Sequence, residues 1–237
     1  MLVLVGNRTE VSMNLSAKGR CWEGILGVGT CNTVAGLFRP VARVQARLYD
    51  LALVLAGSLL IGIAAQVAIP LPIVPVTGQT FAVLLLGALL GARLGAWTVL
   101  VYLMEGAAGL PVFSQGRSGL IMFLGPTGGY LVGFMAAAAV VGLLAQRGWD
   151  RRVFTTVAAM ILGNMIIYAF GLFQLLYLSS VSGVPVGGEG LMAVGLYPFV
   201  AGDLIKTLLA AMLLPLGWRL LSKTKNQARP EPMQELP

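Results

Sequence analysis

Long apolar runs separated by short clusters of Gly, Pro and Arg set the pattern of this chain. The first run, Tyr49 to Ile69, predicts a helix preceded by Arg39, Arg43 and Arg47. Pro70-Leu-Pro-Ile-Val-Pro75 ends it, because proline has no N–H and clashes inside a helix. Further runs predict helices over Thr80 to Leu90, Ala96 to Ala108, Pro126 to Ala145, Val153 to Leu178 and Pro198 to Leu221. The second and third are short against the ~20 residues that cross a bilayer, so tilt or extension into the loops is expected. Gly91-Ala-Arg93-Leu-Gly95 reads as a tight turn, and 109–124 and 179–197 read as loops. Pro126 suits the first turn of its helix.

Composition agrees with this layout. Hydrophobic residues make up 57% of the 237 and charged residues only 11%, against about 25% charged in a soluble domain. Mean hydropathy is +0.86. The expectation is an all-α integral membrane protein of six spanning helices. Residues 1–44 read as a poorly ordered cytoplasmic extension, 45–222 as the transmembrane domain and 223–237 as a polar cytoplasmic tail. There is no histidine, so the commonest metal ligand and proton shuttle is missing. Cys21 and Cys31 lie in the extension and read as incidental thiols.

The net charge of +7 is a topology signal rather than a nucleic-acid footprint. With the N-terminus in the cytoplasm, the inner loops hold Arg39, Arg43, Arg47, Arg93, Arg147, Arg151, Arg152, Arg219, Lys223, Lys225 and Arg229, and the outer loops hold Arg117 alone. The positive-inside rule then places both termini inside. The 70–79, 109–125 and 179–197 segments collect at one outward-facing mouth.

The chemistry is concentrated in a few places. Asp203 and Lys206 lie three apart in an apolar helix, so they share a face. Each costs roughly 2.5–3.5 kcal/mol to insert in hydrocarbon, so such charges face a cavity or each other. A structural ion pair is the plain alternative. In Pro75-Val-Thr77-Gly-Gln79-Thr80-Phe81, the threonines suit helix capping, with Thr80 as the cap. Gln79 brings two donors and an acceptor to the mouth. Arg117 and the start of the fourth helix, at GPTGG and Tyr130, are candidates for holding an anion. That glycine run is not a phosphate loop, and close helix packing explains it at least as well. Asn164 and Tyr168 share a face four residues apart, where helix–helix adhesion competes with substrate contact. Glu105 is a third embedded ionisable group with no assigned partner. Ala52 and Ala56 form a small-xxx-small pair that lets another helix approach.

Taken together, PVTGQTFAVLLLGALLG, YLMEGAAGLPVF, GPTGGYLVGF and YPFVAGDLIK resemble the BioY family, in the family's order, from about Tyr49 to Leu221. These are the biotin-binding S-components of energy-coupling-factor (ECF) vitamin transporters. The resemblance implies a six-helix bundle that binds biotin near the outer surface of the cell membrane. It implies a coupling membrane subunit and two ATPase subunits as partners, since this chain has no nucleotide-binding motif. Ala52 and Ala56 match the pair through which the family's first helix docks, and Asp203 and Lys206 match its final-helix polar residues. No cofactor is implied; biotin is the transported ligand.

The ureido ring of biotin presents two N–H donors and one carbonyl. An aspartate accepts from the first and a lysine donates to the second, in charge-assisted hydrogen bonds. Arg117 or the fourth helix start would take the acidic tail, and Phe81, Tyr130 and Tyr168 the thioether ring and aliphatic chain. The rival is a free-standing secondary transporter in which Asp203 or Glu105 carries protons. An intramembrane enzyme lacks a nucleophile–base pair here, and a scaffold has no need of an embedded Asp–Lys pair.

Overall fold

The computed structural model describes residues 33–71, 73–182 and 188–227. Its elements in order are α1 (Val34–Leu37), α2 (Arg43–Gln66), a two-stranded antiparallel pair β1 (Ala68–Ile69) and β2 (Val76–Thr77), α3 (Gln79–Leu90) and α4 (Ala92–Ala107). A 3-10 turn (Ser114–Gly116) and α5 (Ile121–Leu124) follow, then α6 (Gly128–Gln146), a second 3-10 turn (Trp149–Arg151), α7 (Val153–Ser182), α8 (Gly188–Gly195) and α9 (Tyr197–Gln227). Among the described residues, α2, α6, Val153–Val181 of α7 and Tyr197–Leu221 of α9 are long and apolar enough to cross a membrane. At 12 and 16 residues, α3 and α4 are shorter than a full span.

The fold is built around α6. Two-thirds of its apolar window is buried inside the protein, against one-third for α2. Small residues allow this. Ala137 and Ala138 are fully enclosed, and α3, α4 and α7 all pack on this helix. A Cβ at Gly129 would stand 2.2 Å from the Phe170 carbonyl oxygen on α7. The obstacle is backbone, so a methyl group there has nowhere to go. Gly129→Ala is expected to destabilise the fold by about 1–3 kcal/mol, read as a lower unfolding temperature in detergent. An unchanged temperature would show that α6 and α7 have room to separate.

Gly91 turns α3 into α4. Its φ is +85°, a region that suits glycine, and its N–H bonds to the Gly87 carbonyl at 2.9 Å. The turn is one residue, shorter than the Gly91–Gly95 segment expected. Pro126 precedes α6 instead of occupying its first turn, and Thr127 holds the cap position. The loop after α7 contains α8. The first helix stops at Gln66, and Ala68–Ile69, expected at its end, pairs with Val76–Thr77 of the 70–79 stretch, Ala68 opposite Thr77 and Ile69 opposite Val76, a strand pair that an all-helical expectation did not include.

The N-terminal region differs from its expectation. Residues 34–37 form a short helix capped by Thr33, which accepts from the Gly36 N–H at 3.3 Å. Ala35 joins the hydrophobic core. The Arg39 guanidinium grips both carboxylate oxygens of Asp50, and α2 begins at Arg43, inside the segment read as loose. Residues 1–32, with Cys21 and Cys31, lie outside the described residues, as do 228–237. At the same end of the bundle the Trp218 indole N–H donates to Asp150, and Arg151 stacks on the Trp218 ring at 4.7 Å. Burial pushes the Asp150 carboxyl up from the ordinary carboxylate range, with the Trp218 bond and the Arg151 charge opposing.

Candidate functional site

At the end of the bundle opposite the Gly91 turn, β2, the start of α3, the 113–127 segment, α6, α7 and α9 surround a cavity. Its empty space is about 590 Å³, counting the open space at its mouth. Val74, Phe113, Leu131, Phe134, Ile167 and Phe199 make its walls apolar. Thr77, Gln79, Thr80, Ser114, Arg117, Thr127, Tyr130 and Tyr168 add polar groups.

Behind the Thr80–Tyr168 wall sits the charge pair. Asp203 is buried at 4% exposure. Lys206 Nζ donates to Asp203 Oδ1 at 2.8 Å, to Thr80 Oγ1 at 2.9 Å and to the Thr77 carbonyl at 2.6 Å. All three ammonium protons therefore have acceptors. Thr80 donates its own proton to Asp203 Oδ1 at 3.0 Å, and the Tyr168 hydroxyl donates to Oδ2. Each charge is neutralised and hydrogen-bonded, which is the condition for keeping an ion pair out of water. The pair joins α9 to α3 and α7.

Thr80 is thus a correction. It lies inside α3, whose cap is Gly78 with no side-chain cap bond. Its hydroxyl bridges Asp203 and Lys206 instead. Gln79 lines the cavity with its side chain already engaged. Its carbonyl accepts from Thr77 Oγ1 at 2.9 Å, and its amide donates to the Tyr102 hydroxyl, which in turn donates to the Val112 carbonyl at 3.3 Å. Tyr130 offers its ring to the cavity, because its hydroxyl donates to the Gly195 carbonyl at 2.8 Å. The Tyr130 and Tyr168 rings flank Phe199, with centroids 5.9 Å and 6.3 Å away.

Two expected site residues stand elsewhere. Phe81 is half-buried, packs on the core and is absent from the cavity wall, because it points off α3 away from its neighbour Thr80. Asn164 also lies outside the wall, one turn of α7 from Tyr168; its Oδ1 is buried without a protein partner. Arg117 is an exposed wall residue whose guanidinium donates to Gln115 Oε1 at 2.8 Å. Glu105 acquires a partner, since the Ser58 hydroxyl on α2 approaches its Oε1 at 3.0 Å. Ala52 and Ala56 are exposed on α2, as a docking pair requires. Sequence reasoning missed Ser114, whose hydroxyl is buried at the cavity with no protein partner. It also missed Phe113 and Phe199; their only sequence signal was adjacency to the GLPVF and YPFVAGD motifs.

The chain is similar to several known proteins. The model of the BioY family matches residues 39–223. A biotin transporter BioY of Rhizobium etli is 43% identical over 147 residues, which are 59% of this chain and 75% of the relative. A biotin transporter BioY2 of Lactococcus lactis is 34% identical over 183 residues, covering 76% of this chain and 96% of the relative. The crystal structure of the S-component for biotin from an ECF-type ABC transporter superposes with a TM-score of 0.65 at 24% identity. That match covers 76% of this chain and 95% of the other.

Proposed function

The chain belongs to the BioY family, and we propose that it captures biotin at the outer face of the cell membrane for import by an ATP-driven ECF transporter. The observation that carries this reading is the Asp203–Lys206 pair set behind the wall of an otherwise apolar cavity. A ureido ring needs an acceptor and a donor side by side, and this pair with Thr80 and Tyr168 supplies both. On this reading the ring enters against Thr80 and Tyr168 and exchanges hydrogen bonds with Asp203 and Lys206. The thioether ring and aliphatic chain lie on Tyr130, Phe134 and Phe199. The acidic tail reaches Arg117 at the mouth. Both termini are cytoplasmic, and α3 and α4 complete six spans. Ala52 and Ala56 receive the coupling subunit, and two ATPase subunits supply the energy.

The test is biotin binding by the purified chain alone in detergent, by calorimetry. Nanomolar, one-to-one binding is expected, since several charge-assisted bonds and an apolar enclosure act together. Absence of binding by a folded protein would overturn the assignment of biotin.

A further inference from the structure

Gln66, the last residue of α2, reaches out of its helix to the loop that borders the cavity. Its Nε2 donates to the Phe113 carbonyl at 3.1 Å and to its own helix at Gly62, 3.2 Å. Its Oε1 accepts from the Gly116 N–H at 3.1 Å. One side-chain amide therefore holds both sides of the 113–116 turn. The turn has reason to need a clamp. Gln115 (φ 62°) and Gly116 (φ 67°) are both left-handed, an uncommon conformation for a residue with a Cβ. Phe113 is fixed from below, fully buried and edge-on to Tyr102 and Phe123. The outer half, Ser114 to Arg117, is held by the Phe113 N–H bond to the Arg117 carbonyl at 3.1 Å and by Gln66. That half carries two polar groups of the cavity wall, the Ser114 hydroxyl and the Arg117 guanidinium.

We propose that Gln66 is a positioning residue, which aims Ser114 and Arg117 at the acidic end of the bound ligand. The inference rests on the cavity being the biotin site. It makes α2 a single rod whose exposed side carries Ala52 and Ala56 and whose last residue sets the grip on the ligand's carboxylate.

The test is calorimetry with biotin and with biotinamide, which lacks the negative charge, on wild type, Gln66→Ala, Arg117→Gln and the double variant. Gln66→Ala is expected to weaken biotin about tenfold, as loss of two hydrogen bonds predicts, and biotinamide by less than about twofold. On the Arg117→Gln background, Gln66→Ala is expected to weaken biotin by clearly less than its own loss of about tenfold, because only Ser114 is left to be aimed. Amide exchange at Gly116 is expected to accelerate in Gln66→Ala. Equal losses for both ligands, or unchanged biotin affinity, would overturn the role of Gln66 while leaving biotin capture standing. Wild-type protein that binds neither ligand would overturn both.

Discussion

Asp203→Ala and Lys206→Ala are each expected to weaken biotin binding by more than about 100-fold. Each change removes charge-assisted hydrogen bonding to the ureido ring, worth about 1.5–3 kcal/mol per bond, and each 1.4 kcal/mol is a factor of ten in affinity; the unpaired charge left behind is a separate cost to folding, about 3–5 kcal/mol. In Asp203→Ala the ammonium keeps the Thr77 carbonyl and Thr80 but loses its counter-charge. In Lys206→Ala the carboxylate keeps Thr80 and Tyr168 as donors but loses its counter-charge. The same pair ties α9 to its neighbours, so a lower unfolding temperature accompanies both changes. Asp203→Asn separates the two effects: it preserves shape, removes the charge and turns one acceptor into a donor, and it is expected to stay folded while binding biotin poorly. Calorimetry decides. Wild-type affinity in any of these variants would remove the pair from the binding site.

Ala52→Leu with Ala56→Leu is the second large expected effect, and it acts elsewhere. Both positions are exposed on α2 among the described residues, so larger apolar side chains have room there. Binding of biotin by the isolated chain is therefore expected to stay unchanged. Recovery of the complex with the coupling subunit should fall by at least about tenfold, and biotin uptake by cells should fall with it, because close helix approach depends on small residues. Normal uptake in the double variant would show that the coupling subunit docks on another face.

The apolar rhythm was enough to locate every long helix, because a membrane span must be long and apolar wherever it packs. It was enough to single out Asp203 and Lys206, because two charges in an apolar helix are conspicuous against their background. The resemblance to the BioY family followed from four motifs in order, and the family model confirms it over residues 39–223. Even the short second and third helices were legible as short, since length is a property of sequence alone.

Other features became visible only in three dimensions. Thr80 looks like a helix cap in sequence, because a threonine near a helix start usually serves there. Only the approach of α9 to α3 turns its hydroxyl toward Asp203. Phe81 looks like a ligand-facing aromatic, yet a step of one residue on a helix rotates the side chain by about 100°, so it and Thr80 do not share a wall. Glu105 has no partner within its own helix; Ser58 lies 47 positions away and is brought to it by α2 packing on α4. The same holds for Gln66 and the Gly116 amide, 50 positions apart. Sequence thus determined which segments are apolar enough to enter a membrane and which of their residues carry charge, since both depend on local composition. The tertiary structure alone decided which polar groups meet, since hydrogen bonds form over about 3 Å and no local pattern records which helices come that close.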